Sequence, residues 1–220
     1  MNIETAQRMQ QQVCRTAKDM AAAGLTAGTW GNISARIDDD FMVITPSGMD
    51  YAGLTPGQMV IVSLQTLAWE GALKPSIEVP MHAKILSTRP GVNAVVHTHS
   101  TAALTVAAAQ KGIPPICDDQ VQILGGDIRC AAYTVPGTQA MADAVAEALR
   151  DRAGALIANH GAVALGRTLQ EALIGAIVLE KTARVYLDVQ RIGGAVPICD
   201  ADCLAFHDFF LHKYGQQGGR

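Results

Sequence analysis

The sequence predicts an α/β fold of three layers, in which a central, largely antiparallel sheet is flanked by helices on both faces. Short apolar segments typical of strands alternate with segments of helical spacing along the whole chain. Several connections between successive strands are too short for the crossover that a parallel pair needs. A length of 220 residues suits one well-filled core, so we expect a single domain over residues 1–220.

The first part of the chain predicts one helix followed by a series of short strands. Apolar residues recur every three or four positions from Ile3 to Ala23, and Gly24 follows where a helix commonly ends. Strands are predicted at Phe41 to Ile44, at Met59 to Leu64 and at Leu67 to Trp69, because turns rich in proline and glycine separate these apolar runs.

The next helix and strand carry most of the chemistry that the sequence offers. Ser76 is predicted to cap a helix that runs to about Ser87, where Arg89-Pro90-Gly91 stops it. A strand from Ala94 to His99 follows directly. The remaining predicted elements are helices at Thr101 to Lys111, Thr138 to Arg150 and Leu169 to Arg191, strands at Ile128 to Tyr133, Ala155 to Ala158 and Ala162 to Leu165, and a frayed tail at Gln216 to Arg220.

Composition limits the kinds of partner that the protein can have. The net charge is -3 and no basic run is present, which argues against binding to nucleic acid. No apolar stretch is long enough to cross a bilayer, so no membrane partner is expected. Hydrophobic residues make up 49% of the chain and charged residues only 17%, which predicts an oligomer. Five cysteines without a CxxC pair, and no apolar leader, predict a cytoplasmic protein.

Three histidines in two short phrases form the strongest candidate site. A strand places residues i and i+2 on one face, so His97 and His99 would point the same way. His160, from a distant strand, would complete a set of three imidazoles. Three protein ligands with an open fourth position are typical of catalytic zinc. A lone HxH pair also occurs in ordinary cores, so the spacing alone leaves both interpretations open.

Three loops rich in glycine, serine or threonine could together bind an anion. Gly28 to Ser34, Thr45 to Gly48 and Lys74 to Ser76 each offer backbone N–H groups, hydroxyls or an amide. Ser76 would also lie at a helix N-terminus, where the helix dipole favours negative charge. Each loop alone is typical of an ordinary turn, so only their convergence would make a phosphate site.

One carboxylate lies next to the last of these loops. Glu78 follows Ser76 by two residues and, near a metal, could ligate it or transfer a proton. His82 lies one turn further along, and we interpret it as a surface or packing histidine because three ligands already exist without it. His207 and His212 are interpreted in the same way.

Five phrases of the sequence together resemble the class II aldolase/adducin family over about Gly24 to Tyr214. In chain order they are GTWGNISAR, ITPSGMDY, KPSIEVPMH, AVVHTHS and ANHGAVALG. The resemblance implies this family's fold and a homotetramer with active sites between subunits. The resemblance also implies that a metal, zinc or another divalent transition ion, is bound by His97, His99 and His160. It implies that the phosphate is bound by Gly31, Asn32, Ser47, Gly48 and Ser76, and that Glu78 and Tyr214 are catalytic.

The activity that the resemblance implies is that of a metal-dependent aldolase, a carbon–carbon lyase. It would cleave a ketose 1-phosphate to dihydroxyacetone phosphate and an aldehyde through a metal-stabilised enediolate, with Glu78 moving the proton. Tyr214, from a neighbouring subunit's tail, would act at the aldehyde oxygen. The family's 4-epimerases carry aspartates where this chain has Glu78 and Gln122, which favours the aldolase. An epimerase, a dehydratase, a decarboxylase and a non-catalytic adducin-like module are the alternatives.

The chain departs from the aldolases of the family at two positions. Ile77 replaces a serine that precedes the carboxylate, and a loop tyrosine of those aldolases would align near Asp118, where this chain has none. An apolar neighbourhood formed by Ile77, Val79 and Ile116 would favour a deoxy or thioether sugar tail.

Overall fold

The computed structural model describes residues 2–214. The helices are α1 Ile3–Ala22, α2 Val79–Thr88, α3 Thr101–Ala108, α4 Asp118–Leu124, α5 Gln139–Leu149, α6 Leu169–Val189 and α7 Asp200–His212. The strands are β1 Asn32–Arg36, β2 Phe41–Ile44, β3 Val60–Ser63, β4 Ala94–Thr98, β5 Arg129–Ala131, β6 Gly154–Ile157 and β7 Gly161–Gly166. The tail predicted at Gln216 to Arg220 lies outside the described residues.

The strands form one seven-stranded sheet in the order β3-β2-β1-β4-β7-β6-β5. Every neighbouring pair is antiparallel except β5 and β6, which run parallel. The largely antiparallel sheet predicted from the short connections is therefore confirmed. Strands β1, β4 and β7 occupy the centre, and these three strands position the candidate site.

Helices cover both faces of the sheet, as predicted, because the central strands are apolar on both sides. In β4, Val95 packs into a core shared with α2 and α5. Its neighbours Ala94 and Val96 point the other way, into a core shared with α1 and α6. This alternation places His97, two residues after Val95, on the α2 side of the sheet.

The start of α2 differs from the prediction. The helix begins at Val79 with Glu78 as its N-cap residue, two positions later than a helix capped by Ser76 would begin. Pro75 pairs with Pro46 in an isolated bridge and the Ser76 N–H donates to Thr45 O, and the chain then makes a turn through Ile77 and Glu78 before the helix begins. Ser76 instead accepts a 3.2 Å hydrogen bond from the Glu78 N–H through its hydroxyl.

Three other segments also differ from their predictions. The strand predicted at Leu67 to Trp69 is wrong, because Leu67 has a positive φ of 59° in a turn and Trp69 alone pairs with Val62. The loop predicted over Gly28 to Ser34 ends early, since Asn32 already belongs to β1. Helix α4 was not predicted at all. No helix among residues 2–214 is long and apolar enough to span a membrane.

Gly161, the first residue of β7, is required by close backbone packing. A Cβ atom there would lie 2.2 Å from Thr98 O, in the neighbouring strand β4. We expect Gly161→Ala to lower the free energy of unfolding by about 1–3 kcal/mol or more, because only a backbone shift relieves this contact. Urea denaturation measures the loss, and Gly53→Ala, where a Cβ meets nothing within 4 Å, is the matched control. Equal midpoints for the two variants would contradict the expectation.

Candidate metal centre

Three imidazoles converge at the edge where β4 ends and β7 begins. His97 lies in β4, His99 follows its last residue, and His160 immediately precedes β7. The Nε2 atoms of His97 and His99 are 3.0 Å apart, and the nearest ligand atoms of the three histidines all lie within 4.8 Å of one another. The i, i+2 spacing therefore aims the first two rings together, as the sequence predicted.

Local backbone structure explains how the third histidine reaches the other two. The antiparallel pairing of Thr98 with Ala162 brings the start of β7 beside the end of β4. Asn159 occupies the left-handed region with φ 56° in the connection from β6, a conformation that asparagine tolerates better than most residues. The His99 N–H donates to Leu25 O at 3.1 Å, which fixes the chain where it leaves β4.

The protonation states of His97 and His99 fit a bound cation. His97 Nδ1 donates to Ala162 O at 2.9 Å, so the Nε2 lone pair of His97 is free to ligate. Burial lowers the pKa of His97, and burial together with the other two rings lowers the pKa of His99 to about 3. Both rings are therefore neutral at pH 7, as metal-ligating imidazoles must be.

Glu78 places a carboxylate directly against this triad. Its Oε2 lies 3.2 Å from His97 Nε2 and its Oε1 lies 3.0 Å from His160 Nε2. Burial alone would raise the pKa of Glu78, but His97, His160 and a 2.6 Å hydrogen bond from Asn32 Nδ2 hold it well below its usual range. The carboxylate therefore places a negative charge beside the three imidazoles, which favours a cation at this point.

The three candidate anion loops meet around the same centre. Ser47 N donates to Lys74 O and Ser76 N donates to Thr45 O, so two of the loops are joined by backbone hydrogen bonds. The third loop is held by Tyr51, whose hydroxyl donates to Gly31 O. A cavity of roughly 680 Å³ opens between them and reaches the triad. Its lining includes Gly31, Asn32, Ser47, Gly48, Ser76, Glu78, His99 and His160.

Gly31 is the glycine that this arrangement needs most. Its φ is +84°, and a Cβ atom would lie 2.8 Å from His97 O. A side chain at this position would therefore strain its own backbone and push on the strand that carries the first metal-ligand candidate.

Tyr214 is not at the metal centre of its own chain. It lines a separate cavity of roughly 530 Å³ beside Gln122. This cavity and the cavity at the triad have no lining residue in common. Its ring contacts Phe209 and Phe210 of α7. Within one chain, Tyr214 and the triad therefore line different cavities.

The contacts of His82 and the apolar wall of the cavity differ in part from what the sequence predicts. His82 is a packing histidine, as interpreted, but its ring also hydrogen-bonds Asn32 and Ser34. Of the three apolar residues expected near the substrate tail, only Ile77 lines the cavity, because Val79 is buried in the core. The cavity wall is instead completed by the side chains of Trp30, Leu104 and Tyr133.

Known proteins share both the sequence pattern and the fold. Residues 11–187 match the family described as the Class II Aldolase and Adducin N-terminal domain. The chain is 36% identical over 188 residues to 5-deoxy-D-ribulose 1-phosphate aldolase of Bacillus thuringiensis, which covers 85% of this chain and 88% of that protein. It is 34% identical over 213 residues to L-fuculose phosphate aldolase of Escherichia coli, which covers 97% of each.

A solved structure agrees with these relatives. An L-fuculose 1-phosphate aldolase superposes with a TM-score of 0.88 at 29% identity, covering 92% of this chain and 96% of that one. The family match spans most of the chain, and the relatives above are aldolases by name. The chain therefore belongs to the class II aldolase and adducin family, and within it to the enzymes, the carbon–carbon lyases of aldolase type.

Proposed function

We propose that this protein is a zinc-dependent sugar-phosphate aldolase that cleaves a ketose 1-phosphate to dihydroxyacetone phosphate and an aldehyde. The observation that carries the proposal is the ionised Glu78 carboxylate lying against three convergent imidazoles at the end of a loop-lined cavity. Imidazole ligands favour zinc over magnesium or calcium. Other divalent transition ions are alternatives to zinc. When bound, such an ion would stabilise the negative charge that develops on the substrate oxygens.

Each group of the centre has a defined part in the proposed reaction. His97, His99 and His160 would hold the metal. The bond between the third and fourth substrate carbons breaks, and its electron pair stays with the dihydroxyacetone phosphate fragment. The fourth carbon's hydroxyl loses a proton as it becomes the aldehyde, and the third carbon gains one. Glu78, ionised before the reaction, would take up the proton that the hydroxyl releases and pass it to the third carbon, because its carboxylate lies against the metal-ligand candidates.

The phosphate would be held without a cationic side chain. No lysine or arginine is found among the described residues that line the cavity. Backbone N–H groups near Gly31 and Gly48, the hydroxyls of Ser47 and Ser76, and the amide of Asn32 would therefore supply the donors. Ile77 provides no hydroxyl, so it adds nothing to phosphate binding.

We extend the proposal to a cytoplasmic homotetramer with active sites between subunits. Tyr214 lies away from the triad of its own chain, so a neighbouring subunit would bring it to the aldehyde oxygen. Large apolar side chains on α7, namely Leu204, Phe206 and Phe209, are exposed on the single chain, which supports burial against another copy. All five cysteines are free thiols, which suits a reducing compartment.

The apolar cavity wall supports a substrate whose tail lacks a hydroxyl. Trp30, Ile77 and Tyr133 line the cavity with more than half of their surface exposed. A 5-deoxy or alkylthio tail would lose less hydration against these side chains than a hydroxymethyl tail would. A 4-epimerase is disfavoured because Gln122, which replaces a catalytic aspartate of the epimerases, cannot exchange a proton.

The tail preference can be tested at Ile77. We expect Ile77→Ser to reduce the ratio of kcat/KM for 5-deoxyribulose 1-phosphate to that for ribulose 1-phosphate by about tenfold, since one apolar contact is worth 10- to 200-fold in selectivity. Ile3→Ser, on an equally exposed isoleucine that lines none of the cavities described above, should leave the ratio unchanged. An unchanged ratio in Ile77→Ser would show that the Ile77 side chain does not contribute to substrate specificity.

The central experiment identifies the metal and the products together. Purified protein is analysed for bound transition metals, stripped with a chelator, reloaded with zinc and incubated with a panel of ketose 1-phosphates. We expect one zinc per chain, chelator-sensitive turnover, and dihydroxyacetone phosphate with an aldehyde by mass spectrometry. A product of unchanged mass and altered configuration would indicate an epimerase, and metal-free protein indifferent to chelators would refute the proposal.

A further inference from the structure

A row of buried hydrogen bonds leads away from Oε2 of Glu78, the carboxylate oxygen that also faces His97. Asn32 Nδ2 donates to Glu78 Oε2 at 2.6 Å, and Asn32 Oδ1 lies 2.5 Å from His82 Nε2. The other ring nitrogen, His82 Nδ1, lies 2.6 Å from Ser34 Oγ. The side chains of Ser34 and His82 are fully buried, so water does not compete for these contacts.

A single arrangement of protons satisfies all three contacts. Asn32 directs its amide nitrogen toward a carboxylate oxygen of Glu78, and its own oxygen, which can only accept, faces His82 Nε2. His82 must then carry its proton on Nε2, and its Nδ1 accepts from the Ser34 hydroxyl. His97 has the opposite form, with its proton on Nδ1.

The fold builds this row from two neighbouring elements. Asn32 and Ser34 are two residues apart on β1, so both point to the same face, where they pair with His97 and Val95 of β4. His82 lies one helical turn after Glu78 on α2. The row therefore connects the helix that carries the carboxylate to the strand beside the metal-ligand strand.

We propose that His82 and Ser34 are positioning residues of the aldolase reaction, which act by fixing the amide of Asn32. In this orientation one N–H of Asn32 holds Glu78, and the second remains for the phosphate of the substrate in the cavity that Asn32 lines. Without His82 the amide loses the contact that fixes its plane, so neither its hydrogen bond to Glu78 nor its second N–H is held in place. The inference rests on the proposed function.

The proton arrangement can be measured without any assay of activity. In zinc-loaded protein labelled with ¹⁵N-histidine, long-range ¹H–¹⁵N spectra distinguish the two ring forms, and His82→Gln identifies the signals of His82. We expect a neutral ring with its proton on Nε2 at pH 7. A proton on Nδ1, or a doubly protonated ring, would overturn the proposal, whether or not the protein cleaves a sugar phosphate.

Kinetics of matched variants test the positioning role. We expect His82→Leu to lower kcat by about 10- to 100-fold with the bound zinc retained, and His82→Gln, which keeps a donor for Asn32, to recover most of the loss. We expect Ser34→Ala to lower kcat by a smaller factor, and this variant replaces His82→Leu in the test if His82→Leu does not fold. The control is Gln120→Leu, which removes an equally buried and hydrogen-bonded side chain of α4 and should lower the melting temperature without lowering kcat.

A double-mutant cycle separates positioning from general destabilisation. If His82 acts through Asn32, His82→Leu should cause no further loss of kcat in an Asn32→Ala background. An equal loss in both backgrounds, or a lower melting temperature with unchanged kcat, would overturn the proposal. If the wild-type protein cleaves no ketose phosphate, the proposed function fails, and the spectroscopic result still decides the arrangement of the row.

Discussion

Replacing His97 with alanine is expected to remove both the bound metal and turnover. His97 is the fully buried member of the triad, and its Nε2 faces His99 and Glu78 at 3.0 and 3.2 Å. Its loss leaves two imidazoles, too few for the three-ligand site of a catalytic zinc. Because metal stabilisation of developing charge is worth several kcal/mol, we expect kcat/KM to fall at least about 1,000-fold.

Metal content and kinetics on the same preparation check this prediction. The matched control is Val95→Ala, which shortens an equally buried side chain on the same face of β4. It should lower the melting temperature while the zinc content and kcat stay close to those of the wild type. A His97→Ala protein that keeps one tightly bound zinc would show that the metal lies elsewhere.

Replacing Glu78 with glutamine is expected to separate metal binding from catalysis. Glutamine has the same size and can still accept the hydrogen bond from Asn32, so the triad and the zinc should remain. An amide cannot carry the proton, and general acid–base catalysis contributes about 10²- to 10⁴-fold, so kcat should fall within that range. The melting temperature and the zinc content should both stay near the wild-type values.

The comparison variant for this prediction is Glu147→Gln, a surface carboxylate of α5 that pairs with Arg150. It should retain wild-type turnover. Full activity in Glu78→Gln would remove Glu78 from the mechanism, whereas loss of zinc in that variant would make the carboxylate a metal ligand.

Much of the fold could be predicted because its segments have a simple periodicity. The helices α5 and α6 and the strands β2, β4, β6 and β7 occur within a few residues of their predicted positions. The convergence of His97 with His99 also follows from alternation along a strand. The position of His160 beside them depends on the pairing of β7 with β4, which one sequence does not specify; the family resemblance supplied it.

The remaining features depend on tertiary contacts. Asn32 lies directly after a glycine-rich turn, so local composition predicted a loop, while its pairing with His97 makes it a strand residue. Ser76 suits a helix cap, but a turn through Ile77 and Glu78 follows the bridge between Pro46 and Pro75, so the helix begins after Glu78. The hydrogen bonds of His82 join α2 to β1, two elements far apart in sequence, and no spacing rule connects them.

The order of the three imidazoles along the chain has a consequence for biosynthesis. His97 and His99 leave the ribosome well before His160, and β7, which brings the last ring into place, follows it directly. A nascent chain that ends before this point has only two of the three nitrogens. Under the proposed metal role, stable loading of the cation would therefore wait until the central strands have paired, and a bound ion would mark a chain whose sheet is complete.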